Sequence, residues 1–377
     1  MRGDEGRNIA WFSVENARVF IFTKGVIMKR TVFASAVAIG LLLGFLCVAP
    51  APGSAAEKVI NFSYSSHTPP ELGIALGLEA WGTEIEKRTN GKVKFTYYHG
   101  GTLTSSPKCY EGVVKGLSDI GHSVFAYTQG RFPLMEVLDL PGYSAFNAKL
   151  STRIADDMYR KFQPKELSDV HVLYLHCHTP GVWYTTKKPV KTLDDMKGLR
   201  IRCSGLTTKM VTALGATPVG MPKADEYDSM QRGVVDGTVG APTSLKSWRI
   251  AEVAKFSTWV PKAGYTNAQF VVMNKKKWES LPMDIQKVFT EVSQEWVEKT
   301  GEGWNNEDRE GVEYAKKLGH QFIHPNEKEC ARWEQALKPL QDEYVKTTEA
   351  KGLPGKAALE YRQQLMEKYS KVYKSLF

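Results

Sequence analysis

Cysteine is scarce in this chain, five in 377 residues. The four beyond the N-terminal region, Cys109, Cys177, Cys203 and Cys330, lie far apart and match no zinc-ligand or C-x-x-C spacing. That removes the metal-finger and thiol-redox classes. Buried or free thiols are expected, with one disulfide as the alternative in an exporting context. There is no arginine-rich arm: Lys and Arg total 50 against 41 Asp and Glu, well mixed along the chain. Nucleic acid is therefore excluded as a partner class. No Gly-x-Ser-x-Gly element is present and no Gly-Lys-Ser/Thr follows Gly100-Gly101, so neither a serine-hydrolase elbow nor a phosphate loop is read. His176 and His178 share one face of a strand with Cys177 on the other, too few ligands for a closed metal site. No metal and no cofactor are expected.

Long apolar runs are also missing, except one. Val32 to Val48 follows Met28-Lys29-Arg30 and precedes small residues around Ser54-Ala55-Ala56. This is the order of a secretory signal, basic then apolar then small, with cleavage near Ala56. An uncleaved anchor is the alternative. Residues 1–27 are expected to be upstream translation from a misassigned start, and 28–56 the signal peptide. Cys47 is no lipid-anchor site, because Leu46 stands where a small residue is required. Residues 1–56 carry 6 Lys/Arg and 3 Asp/Glu, so the remainder has 44 basic and 38 acidic side chains. A mild basic excess on an exported protein suits small anions. About 320 residues can bury two cores.

Periodicity then gives alternating strands and helices. Strands are expected at 59–65, 93–98 and 119–125, with helices between them at 69–90 and 108–116. This is the spacing of α/β winding with parallel strands. A helix over 151–162 and a strand over 170–177 follow. The pattern restarts with strands at 181–186, 199–203, 217–221, 234–239 and 270–273, and helices at 209–214 and 224–232. After Pro282 the chain reads as almost all helix, with Trp278, Ile285, Val288, Phe289, Val292 and Trp296 on one stripe of core packing. Two such units imply two lobes with a cleft between them, the usual place for a small ligand.

Within the second unit, Leu199-Arg200-Ile201-Arg202 alternates apolar and basic residues. Period two puts both arginines on one face. A guanidinium at a strand end can hold a carboxylate by two parallel hydrogen bonds. Two solvated surface arginines are the competing reading of the same spacing.

Several segments together resemble the solute receptors of tripartite ATP-independent periplasmic (TRAP) transporters, of DctP type. They are Arg88-Thr89-Asn90-Gly91-Lys92-Val93, Gly100-Gly101-Thr102-Leu103, Gly116-Leu117-Ser118-Asp119-Ile120 and Leu138-Asp139-Leu140-Pro141. With them go Asp194 to Arg202, Ala213 to Val219 and Gly233-Val234-Val235-Asp236-Gly237. The resemblance covers residues 58–377. It implies a two-lobed α/β periplasmic binding protein with mixed sheets, a ligand cleft between the lobes and a long lobe-spanning helix in a helical C-terminal part. The lobes are expected at 57–179 plus 269–308 and at 180–268 plus 309–377. It also implies that Arg202 pairs with a ligand carboxylate, with Arg200 its solvated neighbour. The expected partners are a small carboxylate and the TRAP membrane subunits, with the receptor monomeric.

Polar positions of the family's sugar-acid branch fall here on Val124, Tyr127, Trp183, Ser65 and Gly240. A buried polyol needs its hydroxyls paired, at about 1–3 kcal/mol for each group left unsatisfied. Apolar and aromatic residues cannot do this. With Phe125, Ser66 and His67 these positions form the expected site, for an acid with an apolar or aromatic body. If Trp183 is instead lobe core, a small hydroxy or keto acid is the alternative. An enzyme acting on acidic or sugar substrates and a periplasmic sensor lobe are the competing classes.

Overall fold

The structure, a computed structural model, describes residues 59–377. The upstream extension and signal peptide expected over 1–56 lie outside the described residues. Eleven strands are described: β1 (Ile60–Ser66), β2 (Val93–Tyr98), β3 (Ile120–Val124), β4 (Val170–Cys177), β5 (Val182–Thr185), β6 (Arg200–Cys203), β7 (Thr217–Gly220), β8 (Gly237–Gly240), β9 (Phe256–Thr258), β10 (Ala268–Asn274) and β11 (Gln321–Ile323). The helices are α1 (Gly73–Arg88), α2 (Cys109–Val114), α3 (Ala148–Phe162), α4 (Thr207–Ala213), α5 (Glu226–Gln231), α6 (Ser244–Ser247), α7 (Ile250–Val253), α8 (Lys275–Glu279), α9 (Met283–Lys317), α10 (Glu327–Leu337), α11 (Pro339–Glu349) and α12 (Gly355–Ser370).

The strands form two mixed sheets, one per lobe. The first has order β2-β1-β3-β10-β4 and the second β11-β9-β5-β8-β6-β7. β1 runs parallel to β2 and β3, as the winding pattern requires. β10 returns from the second lobe and pairs antiparallel with β3 and β4. In the second sheet β6 is parallel to β7 and β8, while β5 is antiparallel to β8 and β9.

Local chemistry sets the boundaries. α1 ends where Asn90 and Gly91 take φ of 51° and 78°, and Gly91 N–H closes the end on Glu86 C=O. Left-handed residues satisfy the last carbonyls of a helix in this way. The start of α1 differs from expectation: Pro69-Pro70 sits in a turn and the helix begins at Gly73. Asn147 caps α3 by accepting from Lys149 N–H. The strand expected over 234–239 is displaced to β8, because Asp236 is drawn to Arg200: its N–H donates to the Arg200 carbonyl at 2.7 Å and its carboxylate takes the guanidinium at 2.9 Å.

α9 carries the stripe read from the sequence. Ile285, Phe289, Val292 and Trp296 are buried against Trp81, Phe62 and Tyr64 of the first lobe. Each such side chain adds roughly 1.5–3 kcal/mol by leaving water. Trp296 Nε1–H donates to Gly77 C=O and Trp81 Nε1–H to Ser293 Oγ, locking α9 to α1. Further on, Val312 and Ala315 enter the second lobe's core with Leu245 and Ile250. The helix thus spans both lobes. The C-terminal region is also shared. α10 meets the second lobe through Trp333, while α12 packs on α3 and sends the buried Arg362 to the Leu140 and Pro141 carbonyls. Among the described residues no helix is long and apolar enough to cross a membrane.

Candidate ligand site

The C-terminal ends of β1, β3, β6 and β8 converge where the two sheets face each other, the usual ligand position in α/β folds. A cavity there of about 90 Å³ holds space for several waters. His67, Val124, Tyr127 and Gln269 line it from the first lobe, and Arg202 and Lys223 from the second. Trp304 and Glu307 of α9 and Tyr265 also line it.

β6 carries both arginines on one face, as alternation requires, but at different depths. Arg200 is exposed and pairs with Asp236, whereas Arg202, at the strand end, is 4% exposed. Its Nε and Nη2 both donate to Met221 C=O, at 3.2 and 2.8 Å. Its Nη1 stands 3.7 Å from Glu226 Oε2, and the guanidinium also acts on the Tyr127 hydroxyl. Glu226 at the start of α5 is fully buried and belongs more closely to Lys223, whose Nζ is 2.6 Å away and also donates to Ser244 Oγ at 3.1 Å. Burial pulls the Lys223 ammonium below its ordinary pKa. A buried guanidinium and a partly buried ammonium thus share one buried carboxylate. A positive surplus inside a low-dielectric cleft is costly unless an anion joins it.

Neutral imidazoles stand on the opposite wall. Burial drives His67 and His178 down to about 4 and His176 to about 3, and His122 also falls well below the ordinary range. His67 is positioned by the glycine turn after β2, where Gly101 N–H binds Ser66 C=O and Gly100 N–H binds Thr68 C=O. Both glycines have positive φ, 64° and 74°, which a side chain would strain.

Of the residues expected at the site, Arg202, Tyr127, Val124, His67 and Gly240 line the cavity. Four do not. Trp183 is 2% exposed and packs on Trp333 with ring centroids 5.6 Å apart. β5 is covered on both faces, so Trp183 reaches the helix side of the sheet, and only the strand's end approaches the cleft. This is the lobe-core placement. Phe125 turns away from Val124 into a cluster with Phe132 and Phe270, and lines a neighbouring cavity with Ala126, Glu136 and Gly205. Ser65 is buried on Thr104 Oγ1, and Ser66 is buried on His122. Lys223, Glu226, Gln269 and Glu307 were not read from the sequence. The only signal for the first two was a lysine and glutamate three apart before a short helix. The cleft is accordingly more polar than the apolar substitutions suggested. Cys109, Cys177, Cys203 and Cys330 are all free thiols. Among the described residues no group of three or more His, Cys, Asp or Glu is arranged to hold a metal ion.

Residues 64–348 match the family model DctP, described as bacterial extracellular solute-binding protein, family 7. The chain belongs to this family. As a DctP-type TRAP solute receptor it is similar to a TRAP solute-binding protein from Rhodoferax ferrireducens, in complex with copurified benzoate: 27% identity, TM-score 0.78, covering 83% of this chain and 99% of that one. It is also similar to a marine metagenome TRAP solute-binding protein specific for aromatic acids, co-crystallised with 3-hydroxybenzoate: 27% identity, TM-score 0.79, covering 83% and 99%. A third relative is the C4-dicarboxylate-binding periplasmic protein DctP of Rhodobacter capsulatus, 26% identical over 324 residues, 81% of this chain and 92% of that protein. These relatives are binding proteins, and the Rhodobacter protein is named as periplasmic.

Proposed function

We propose that this receptor works in the periplasm after removal of its signal peptide, as a monomer, and that it binds a monocarboxylate through Arg202 and delivers it to TRAP membrane subunits. One observation carries the reading. Arg202 is buried in the cleft beside Lys223, with Glu226 the one carboxylate between them, while Glu307 on the cavity wall accepts from the Thr243 hydroxyl. One ligand carboxylate neutralises the surplus, whereas a second would place an unpaired anion in the same buried space. This favours a monoanion over the dicarboxylate of the Rhodobacter relative. Aromatic walls from Tyr127, Trp248, Tyr265 and Trp304 suit a ring acid, as do the ligands of the two structural relatives.

A small hydroxy or keto acid is the second reading, favoured by the burial of Trp183 away from the cleft. A thermal-shift screen over benzoate, mandelate, lactate, pyruvate, glucuronate and succinate separates the two, since a ligand at 100 times its dissociation constant adds about 2.7 kcal/mol. The aromatic acids are expected to give the largest shifts. A shift confined to succinate or glucuronate contradicts the proposal.

A further inference from the structure

We infer that the first-lobe wall of the cleft presents two hydrogen-bond acceptors, His67 Nε2 and the Gln269 carbonyl, and so selects an acid bearing a hydroxyl or other donor on the side facing that lobe. This rests on the carboxylate reading above and adds a second point of recognition across the cleft from Arg202.

The protonation of the wall follows from one donor. Trp304 Nε1 can only donate, and it lies 3.2 Å from His176 Nδ1. His176 is neutral, so its proton is on Nε2. That nitrogen is 3.2 Å from His122 Nε2, with the two ring planes inclined by 17°. His176 Nε2–H therefore donates to His122 Nε2, and the His122 proton is on Nδ1, where it donates to Ser66 Oγ at 3.0 Å. Gln269 reaches His122 Nε2 at 3.1 Å with its Oε1. Two acceptors at that distance repel. A half-turn of the amide removes the repulsion, its NH2 sharing the His122 Nε2 lone pair with His176 Nε2–H, and swings the carbonyl oxygen to the cleft side, where Gln269 lines the cavity. β10 holds it there, since Gln269 stands between Val124 and His176 in the sheet register.

His67 gives the same result independently. Its Nδ1 lies 3.4 Å from the His122 carbonyl, which can only accept. The neutral ring therefore keeps its proton on Nδ1 and offers a bare Nε2. Among the described residues neither His67 Nε2 nor the outer amide atom of Gln269 has a hydrogen-bond partner. The remaining cleft imidazole is already satisfied. His178 donates from Nδ1 to Thr179 C=O and accepts Asn267 N–H at Nε2. A site built to accept from a ligand hydroxyl discriminates strongly against its absence.

The test has two arms. Long-range proton–nitrogen NMR on the ligand-free protein at neutral pH is expected to find His176 protonated at Nε2, and His122 and His67 at Nδ1. Protonation of His122 at Nε2 overturns the assignment. Calorimetry then compares 3-hydroxybenzoate with 3-methoxybenzoate, and 4-hydroxybutanoate with 4-methoxybutanoate, each ether keeping the oxygen but losing the donor. The hydroxy acid of whichever pair binds is expected to be tighter by about tenfold or more, and Gln269→Met to bring that ratio toward one. Equal affinities in the wild-type protein, or benzoate binding with neither hydroxy acid bound, overturn the inference and leave the carboxylate anchor standing. Failure of every carboxylate, benzoate included, removes the anchor reading itself.

Discussion

Arg202→Ala separates a ligand anchor from a structural arginine. In the free protein the substitution removes two donations to Met221 C=O and a 3.7 Å contact with Glu226. The carbonyl lies beside the cleft, where water can replace the lost donors, and Glu226 keeps Lys223 at 2.6 Å. The cost to ligand-free stability is therefore near that of a single hydrogen bond, about 1 kcal/mol. Ligand binding suffers more. A carboxylate desolvated in the cleft without its guanidinium loses about 2–5 kcal/mol, which is roughly thirtyfold to several thousandfold in dissociation constant. Arg202→Lys restores charge without the planar fork and is expected to recover part of the loss. Isothermal titration calorimetry gives the affinity, and urea unfolding without ligand gives the stability. The reasoning is refuted if Arg202→Ala leaves the dissociation constant unchanged, or if the loss of affinity is matched by an equal loss of ligand-free stability.

Three other outcomes follow from the geometry. Trp183→Ala empties a packed site against Trp333 and is expected to cost about 3–5 kcal/mol of stability in urea unfolding, with the affinity of the folded fraction unchanged; a large affinity loss at wild-type stability would return Trp183 to the cleft. Burial raises Asp139 to about 7 and Asp308 to about 8. The folded state therefore holds protons that the unfolded state has already released, so stability falls as pH rises from about 7.5 to 8.5, a window above the unfolded histidines' titration near 6.5, and Asp308→Asn should flatten part of that slope in pH-dependent unfolding. Gly205, at φ 57°, lies so close to Ala126 that a Cβ there would stand 2.6 Å from the alanine's; Ala126→Leu should hold the lobes apart, and small-angle scattering should show a radius of gyration that no longer shrinks with ligand as the wild type's does.

Much of the fold was legible because its elements are long or strongly patterned. β4 was read residue for residue, and the stripe on α9 named the side chains that join it to the first sheet. β9 and β11 were missed because three-residue strands carry too little alternation to register. The cavity lining was legible where a strand end points into the cleft, as at Arg202 and Val124. It failed at Trp183 for a physical reason: alternation divides a strand into two faces, but both faces of β5 are buried under other elements. Glu226 and Lys223 escaped because a lysine and glutamate three apart are common on surfaces, and only the folded chain brings Glu226 to 3.7 Å from Arg202. Gln269 escaped because its role is fixed by a hydrogen-bond chain that begins at Trp304, thirty-five residues further along the sequence.

The most direct test is a crystal structure of the receptor with the tightest acid from the ligand screen. The account predicts the carboxylate within hydrogen-bond distance of Arg202 Nη1, with Nε and Nη2 still on Met221 C=O and the rest of the ligand reaching toward Gln269 and His67. A carboxylate bound elsewhere, in the neighbouring cavity beside Phe125 or on Lys223 alone with Arg202 unchanged, would contradict it.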